Sequence, residues 1–217
     1  MNNSELITKT ITFVKEKLND AEGGHDWFHI ERVYKNALLI ANDTNCDLTV
    51  VQLGALLHDI ADSKFHNGDE TIGPKTARLF LESENVSEEI IQHVVNIIEN
   101  ISYKGGNFEK KFSSIELDIV QDADRLDAIG AIGVARAFNY GGFKNRALHN
   151  PEIAPVTNMT KEEYKKNSAP TINHFYEKLL LLKDKMNTGK GKEIAAERHR
   201  FMENFLAQFY AEWEGLK

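Results

Sequence analysis

An all-α fold is predicted for this 217-residue chain by three observations. Apolar residues recur at spacings of three and four almost throughout, the period of a helix that buries one face. Only four prolines occur, and three of them, Pro151, Pro155 and Pro170, fall in one region. No stretch alternates apolar and polar residues convincingly enough to read as a strand, although a short hairpin inside 139–169 stays open. The expectation is one helical domain over 1–217, with central buried helices. Its core covers about 24–138, a flap or insertion 139–169, and closing helices 170–214.

Segment 4–19 places Leu6, Ile7, Ile11, Val14 and Leu18 near helical spacing, and Gly23-Gly24 breaks it. A second helix begins near Asp26, a capping residue, and turns Ile30, Val33, Ala37, Leu38 and Ala41 to the core. After a polar turn at 42–47, a third helix over 48–61 is apolar nearly all round, which puts it at the centre of the fold. Residues 62–70 read as a polar loop. A helix over 71–84 tolerates Pro74 in its first turn. Ser87 caps the next, with Ile90, Ile91, Val94, Val95 and Ile98 inward. Gly105-Gly106 opens a lysine-bearing loop. Residues 114–128 then form a helix with Ile115, Ile119 and Leu126 on one stripe and Leu117, Val120, Asp124 and Asp127 on another. Gly130 and Gly133 precede a helix that runs through Ala137. The stretch 139–169 is long and polar, the composition of a flap over a site. Two helices, 170–186 and 190–214, meet at a Thr188-Gly189 turn and close the chain.

With 41% apolar and 27% charged residues, the composition is that of an ordinary globular protein. A formal net charge of −7 argues against a broad nucleic-acid-binding face. A phosphorylated ligand therefore needs a metal or a local basic pocket. Cys46 is the only cysteine, so no intramolecular disulfide forms, and the cytoplasm is the expected location. No run approaches the roughly 18–20 apolar residues of a membrane span, and MNNSELITKTITF does not read as a signal peptide.

The chemistry sits in His29 of HDWFHIERV, His58-Asp59 of LGALLHDIAD and Asp124 of DIVQDADRLDAIG. Each lies in or beside an apolar helical pattern, where an unpaired carboxylate or imidazole is costly. His29 alone reads as an ordinary histidine. Together with two aspartates on other apolar helices it asks for a shared explanation, and a cation meets it. Two nitrogen and two oxygen ligands suit one divalent ion with coordination positions left open, the layout of a hydrolytic metal site.

These segments, in this order, resemble the HD-domain metal-dependent phosphohydrolase superfamily. HDWFHIERV, LLHDIADSKF and QDADRLDAIGA are similar to a bacterial branch of small HD hydrolases, and the resemblance runs from about Gly24 to Phe138. It implies an all-helical HD fold and one divalent ion held by His29, His58, Asp59 and Asp124, with manganese favoured over magnesium, cobalt, nickel, iron or zinc. It also implies hydrolysis of phosphoester or phosphoanhydride bonds. Members of this branch split nucleoside triphosphates into monophosphate and pyrophosphate. Some HD proteins carry further histidines that build a second metal site. Here NIIENISYKGG lacks them, although His93 precedes it, so a single ion is expected.

Around the ion, Asp62 lies one turn beyond Asp59 and resembles the acid/base of related nucleotidases. Lys64 is the candidate phosphate holder. A helix-end cap and a solvated lysine are the ordinary readings of these two. His25 is one turn before His29, and Arg32 three residues after it; both are candidates to bind substrate, and Arg32 alternatively to orient a ligand. Arg125 and Arg136 are further substrate-binding candidates, with Lys104, Lys144 and Arg146 behind them. Asp127 reads as a residue that orients a ligand or as a salt-bridge partner, and Asp122 as solvated or capping. Phe28, Phe65, Tyr103 and Tyr140 are available to stack on a base. The expected function is a metal-dependent phosphohydrolase acting on a small phosphorylated substrate, first of all a (deoxy)nucleoside triphosphate. A phosphomonoesterase acting on nucleoside monophosphates or other phosphoesters, and a non-catalytic nucleotide-binding module, both stay open. A monomer or a homodimer is expected, with no membrane partner.

Overall fold

Three side-chain caps start the helices that build the core. In the computed structural model, residues 2–19, 26–61, 69, 71–101, 112–157, 159–160 and 167–217 are described. Helix α1 (Asn3–Lys17) begins where the Asn2 side chain accepts from the Ser4 amide. Helix α2 (Trp27–Ala41) begins at Asp26, whose carboxylate takes the His29 amide at 3.0 Å. Asp47 does the same for α3 (Leu48–Leu57), accepting from Thr49 and Val50. Each cap satisfies amides that have no partner inside the helix. Helices α4 (Ile72–Ser83), α5 (Glu88–Asn100) and α6 (Ile115–Asp127) follow. Every regular element among the described residues is helical.

The chain divides into two compact units, Met1–Asp124 and Arg125–Lys217. In the first, α3 is the central helix, as its all-round apolarity predicts. Val51, Leu53, Ala55, Leu56 and Leu57 are wholly enclosed, and α3 packs against α1, α2 and α5 while α4 packs on α5. Phe13 and Phe80 stack with centroids 4.1 Å apart. Two details differ from the sequence expectation. Helix α3 stops at Leu57 rather than 61, leaving His58 as its C-cap. Ser87 occupies the N-cap of α5 in an extended conformation, but its side chain makes no capping bond. The acidic first turn, Glu88 and Glu89, complements that end of the helix instead.

In the second unit, α7 spans Gly130–Phe143 and so takes five residues from the expected flap. Gly141-Gly142 reads as a turn in sequence, yet Gly141 is buried inside the helix, where a Cβ would overlap Thr171 Oγ1. Close packing, not a turn, explains that glycine. The expected helix over 170–186 is broken into α8 (Asn173–Glu177) and a 3-10 segment over Leu179–Lys185. The break follows from the leucine run: Leu179 and Leu182 are the buried pair, and a three-residue period aligns them on one face. Helix α9 (Gly189–Trp213) starts at Thr188, whose hydroxyl accepts from Gly191, and packs on α7 and the 3-10 segment. Phe138, Phe175, Phe205 and Phe209 cluster with centroids 5.9–6.5 Å apart. Phe201 and Trp213, on the same helix, stay largely exposed. No helix among the described residues is long and apolar enough to cross a membrane.

Candidate metal centre

The position of the first candidate ligand follows from the Asp26 cap. By starting α2 at Trp27, it puts His29 on the buried stripe with Val33, Ala37 and Ile40, and His29 is only 3% exposed. The second and third come from the end of α3. Consecutive residues inside a helix diverge by about 100° and do not face one another. His58, the C-cap, still has helical dihedrals, so its side chain and that of Asp59 approach the common point from different directions. His58 is buried at the C-cap, Asp59 half-buried in the turn beyond it. One donor atom each from His29, His58 and Asp59 lie within 4.8 Å of one another. Asp124, in the last turn of α6, brings Oδ1 to 3.6 Å from His29 Nε2. The two imidazoles meet edge to face, centroids 5.5 Å apart.

The proton on His58 is assigned by its neighbour. Nδ1 lies 2.9 Å from the Ala55 carbonyl, which only accepts, so Nδ1 carries the hydrogen. Nε2 is then a bare lone pair. It is buried and has no hydrogen-bond partner among the described residues. A buried polar atom left unsatisfied costs about 1–3 kcal/mol. A cation accepts that lone pair, and two imidazoles with two carboxylates form a donor set suited to a divalent transition ion. The residues present therefore fit the metal that the resemblance implies.

Of the other predicted site residues, His25, Asp62 and Lys64 lie outside the described residues, as do Phe65, Tyr103 and Lys104. Arg32 is half-buried on α2. Asp127 is 1% exposed and pairs with Arg136, whose Nη1 also donates to the Asp127 carbonyl at 3.3 Å. Arg125 Nη1 donates to the Lys185 carbonyl at 2.6 Å. Asp122 is wholly enclosed rather than solvated or capping. His93 Nε2 lies 3.0 Å from Ser114 Oγ and 3.4 Å from Glu116 Oε2. Glu116 precedes Asp124 by about 12 Å of helix, so His93 is engaged at the opposite end of α6.

Two residues went unnoticed in the sequence. Arg198 of α9 donates to the Leu126 carbonyl at 2.6 Å, so two guanidinium groups, from α7 and α9, cap carbonyls in the last turn of α6. Burial pushes the Arg198 guanidinium down, against the pull of Asp127. No sequence signal distinguishes it among the charges of KEIAAERHR. Asn36 is 9% exposed, and its amide donates to the Ala123 carbonyl at 3.3 Å. Its signal was available: an amide on an otherwise apolar helical stripe.

Residues 27–129 match the HD domain family, a span that starts two residues before His29 and ends five after Asp124. The chain is 37% identical over 213 residues to the uncharacterised protein YpgQ of Bacillus subtilis, covering 94% of this chain and 92% of that one. Among solved structures it is similar to an HD-superfamily hydrolase of Bacillus thuringiensis, with 45% identity, a TM-score of 0.80, and coverage of 98% of this chain and 99% of that one. It is also similar to Bacillus subtilis YpgQ in complex with ADP, with 33% identity, a TM-score of 0.75, and coverage of 98% and 97%. All four candidate ligands fall inside the matched span, and the relatives align over nearly their whole length: the chain belongs to the HD-domain phosphohydrolase superfamily.

Proposed function

We propose that this protein is a divalent-metal-dependent hydrolase that cleaves (deoxy)nucleoside triphosphates into monophosphate and pyrophosphate. The observation that carries the reading is the grouping of donor atoms from His29, His58 and Asp59 within 4.8 Å of one another, with Asp124 Oδ1 3.6 Å from His29 Nε2. A nucleotide substrate is favoured because the similar YpgQ was crystallised with ADP.

His29, His58, Asp59 and Asp124 would hold a divalent ion, which would supply Lewis acidity toward water and a phosphoryl oxygen. The chain's own groups do the rest. The Ala55 carbonyl keeps His58 in the tautomer whose Nε2 is free to bind. Asp59 and Asp124 bring two negative charges that balance the ion. We assign the proton-handling role to Asp62 and the phosphate contacts to Lys64, His25 and Arg32, where positive charge offsets that building on the phosphoryl oxygens. Arg125 and Arg136 already donate to Lys185 and Asp127.

The test is release of phosphate and pyrophosphate from a panel of nucleoside tri-, di- and monophosphates with Mn²⁺, Mg²⁺, Co²⁺ or chelator. The expected result is metal-dependent pyrophosphate release, abolished in His58→Ala and Asp59→Ala. Phosphate release from monophosphates alone would keep the metal centre and replace the substrate. Silence from folded, metal-loaded protein across the panel would overturn the reading.

A further inference from the structure

We propose that Asn36 is a positioning residue of the metal centre: its amide holds α2 against α6 at the register in which His29 and Asp124 reach the same ion. The inference rests on the metal reading above, not on the identity of the substrate.

Asn36 lies seven residues after His29, two turns along the same face of α2, about 10 Å down the axis. Its neighbours on that face, Val33, Ala37 and Ile40, are wholly enclosed and apolar. An apolar residue at position 36 would extend the stripe and pack as its neighbours do. The chain places an amide there instead, almost fully buried, and donates it to the carbonyl of Ala123. Ala123 immediately precedes Asp124. The bond therefore joins the helix carrying one ligand to the residue beside another. A helical carbonyl keeps a second lone pair that can accept such a donor.

The difference between the two kinds of contact is direction. Apolar burial is roughly proportional to area and has no preferred angle. A hydrogen bond weakens steeply once its distance or angle departs from the optimum. Metal ligation tolerates about 0.2 Å. His29 Nε2 and Asp124 Oδ1 come from different helices and stand 3.6 Å apart. The Asn36 bond adds a directional constraint to their register along the helix axis. Asp26 fixes the start of α2 relative to its own chain; Asn36 fixes α2 relative to α6.

The experiment measures Co²⁺ affinity and the visible ligand-field absorption of the Co²⁺ protein, alongside thermal unfolding of the metal-free protein. It compares wild type, Asn36→Leu, Asn36→Ala and Val14→Ala. Leu conserves volume and burial without a donor, and Ala keeps the test alive if Leu fails to fold. Val14 is an enclosed α1 residue and serves as a packing control. Expected is a loss of Co²⁺ affinity of about tenfold or more in both Asn36 variants, the usual consequence of removing a group that orients a ligand. The absorption should change in intensity or position, while Val14→Ala binds like wild type despite its own loss of thermal stability. Affinity and spectrum unchanged in a folded Asn36 variant would overturn the positioning role and leave the metal centre standing. Equal weakening in Val14→Ala would also overturn it, by reducing the effect to general stability. Absence of Co²⁺ binding by the wild type would overturn the metal reading itself and the inference with it.

Discussion

His58 is a half-made bond. Its Nδ1 side is satisfied by Ala55 and its Nε2 side is buried without a partner among the described residues, so the metal-free protein carries a penalty that ligation removes. Metal binding is then coupled to stability. An ion present at about 100 times its dissociation constant stabilises a protein by about 2.7 kcal/mol. For a chain of this size each kcal/mol moves the midpoint by about 2–4 °C. Saturating Mn²⁺ should accordingly raise the Tm by about 5–10 °C, and chelator should reverse it. His58→Ala should lose the shift altogether in differential scanning calorimetry. A variant that still responds fully to Mn²⁺ would mean that Nε2 is not a ligand.

At the scale of elements, what was legible in the sequence was whatever depends on short-range pattern. The Asp26 cap, the central position of α3 and a closing helix that starts near residue 190 follow from local chemistry and hold in the structure. Contacts between distant residues were not legible. Gly141 reads as a turn because nothing nearby in sequence reveals Thr171. The leucine run at 179–182 fits an α-helix equally well until its buried pair is known. Arg198 lies 72 residues from the carbonyl it caps. That cap has a measurable value: hydrogen bonds to charged groups are worth about 1.5–3 kcal/mol. Arg198→Met should therefore lower unfolding stability by about 1–3 kcal/mol in urea. Gly133, buried near the start of α7, offers a second check. A Cβ there would overlap the Ala128 backbone, which has no side-chain rotamer with which to yield. Gly133→Ala should cost about 1–3 kcal/mol or more, measured in the same way, although Ala is the better helix former.

For the whole molecule, acid is the predicted weakness. Burial, followed by the positive charges of Lys178 and Arg146, lowers the His174 pKa from 6.5 to about 4. The folded state holds this imidazole neutral, while the unfolded chain takes up a proton below pH 6.5. Protons are then bound more by the unfolded state, and stability rises with pH across that window. The contribution is fully present above pH 6.5 and is lost as the pH falls toward 4, up to about 3 kcal/mol in total. Denaturant unfolding at pH 7 and pH 4 should show a larger acid loss for wild type than for His174→Gln; parallel profiles would remove His174 from the account. A different consequence follows from α6. The boundary between the two compact units falls between Asp124 and Arg125, inside one continuous helix. All four candidate ligands belong to the first unit, but the fourth is its final residue. A fragment cut at that boundary would end on Asp124, adding a terminal carboxylate beside the ligand and leaving it in a fraying last turn. The side chains that would grip the ion can be excised intact, yet the grip cannot, and the smallest chain able to hold the metal must extend beyond the unit that contains every one of its ligands.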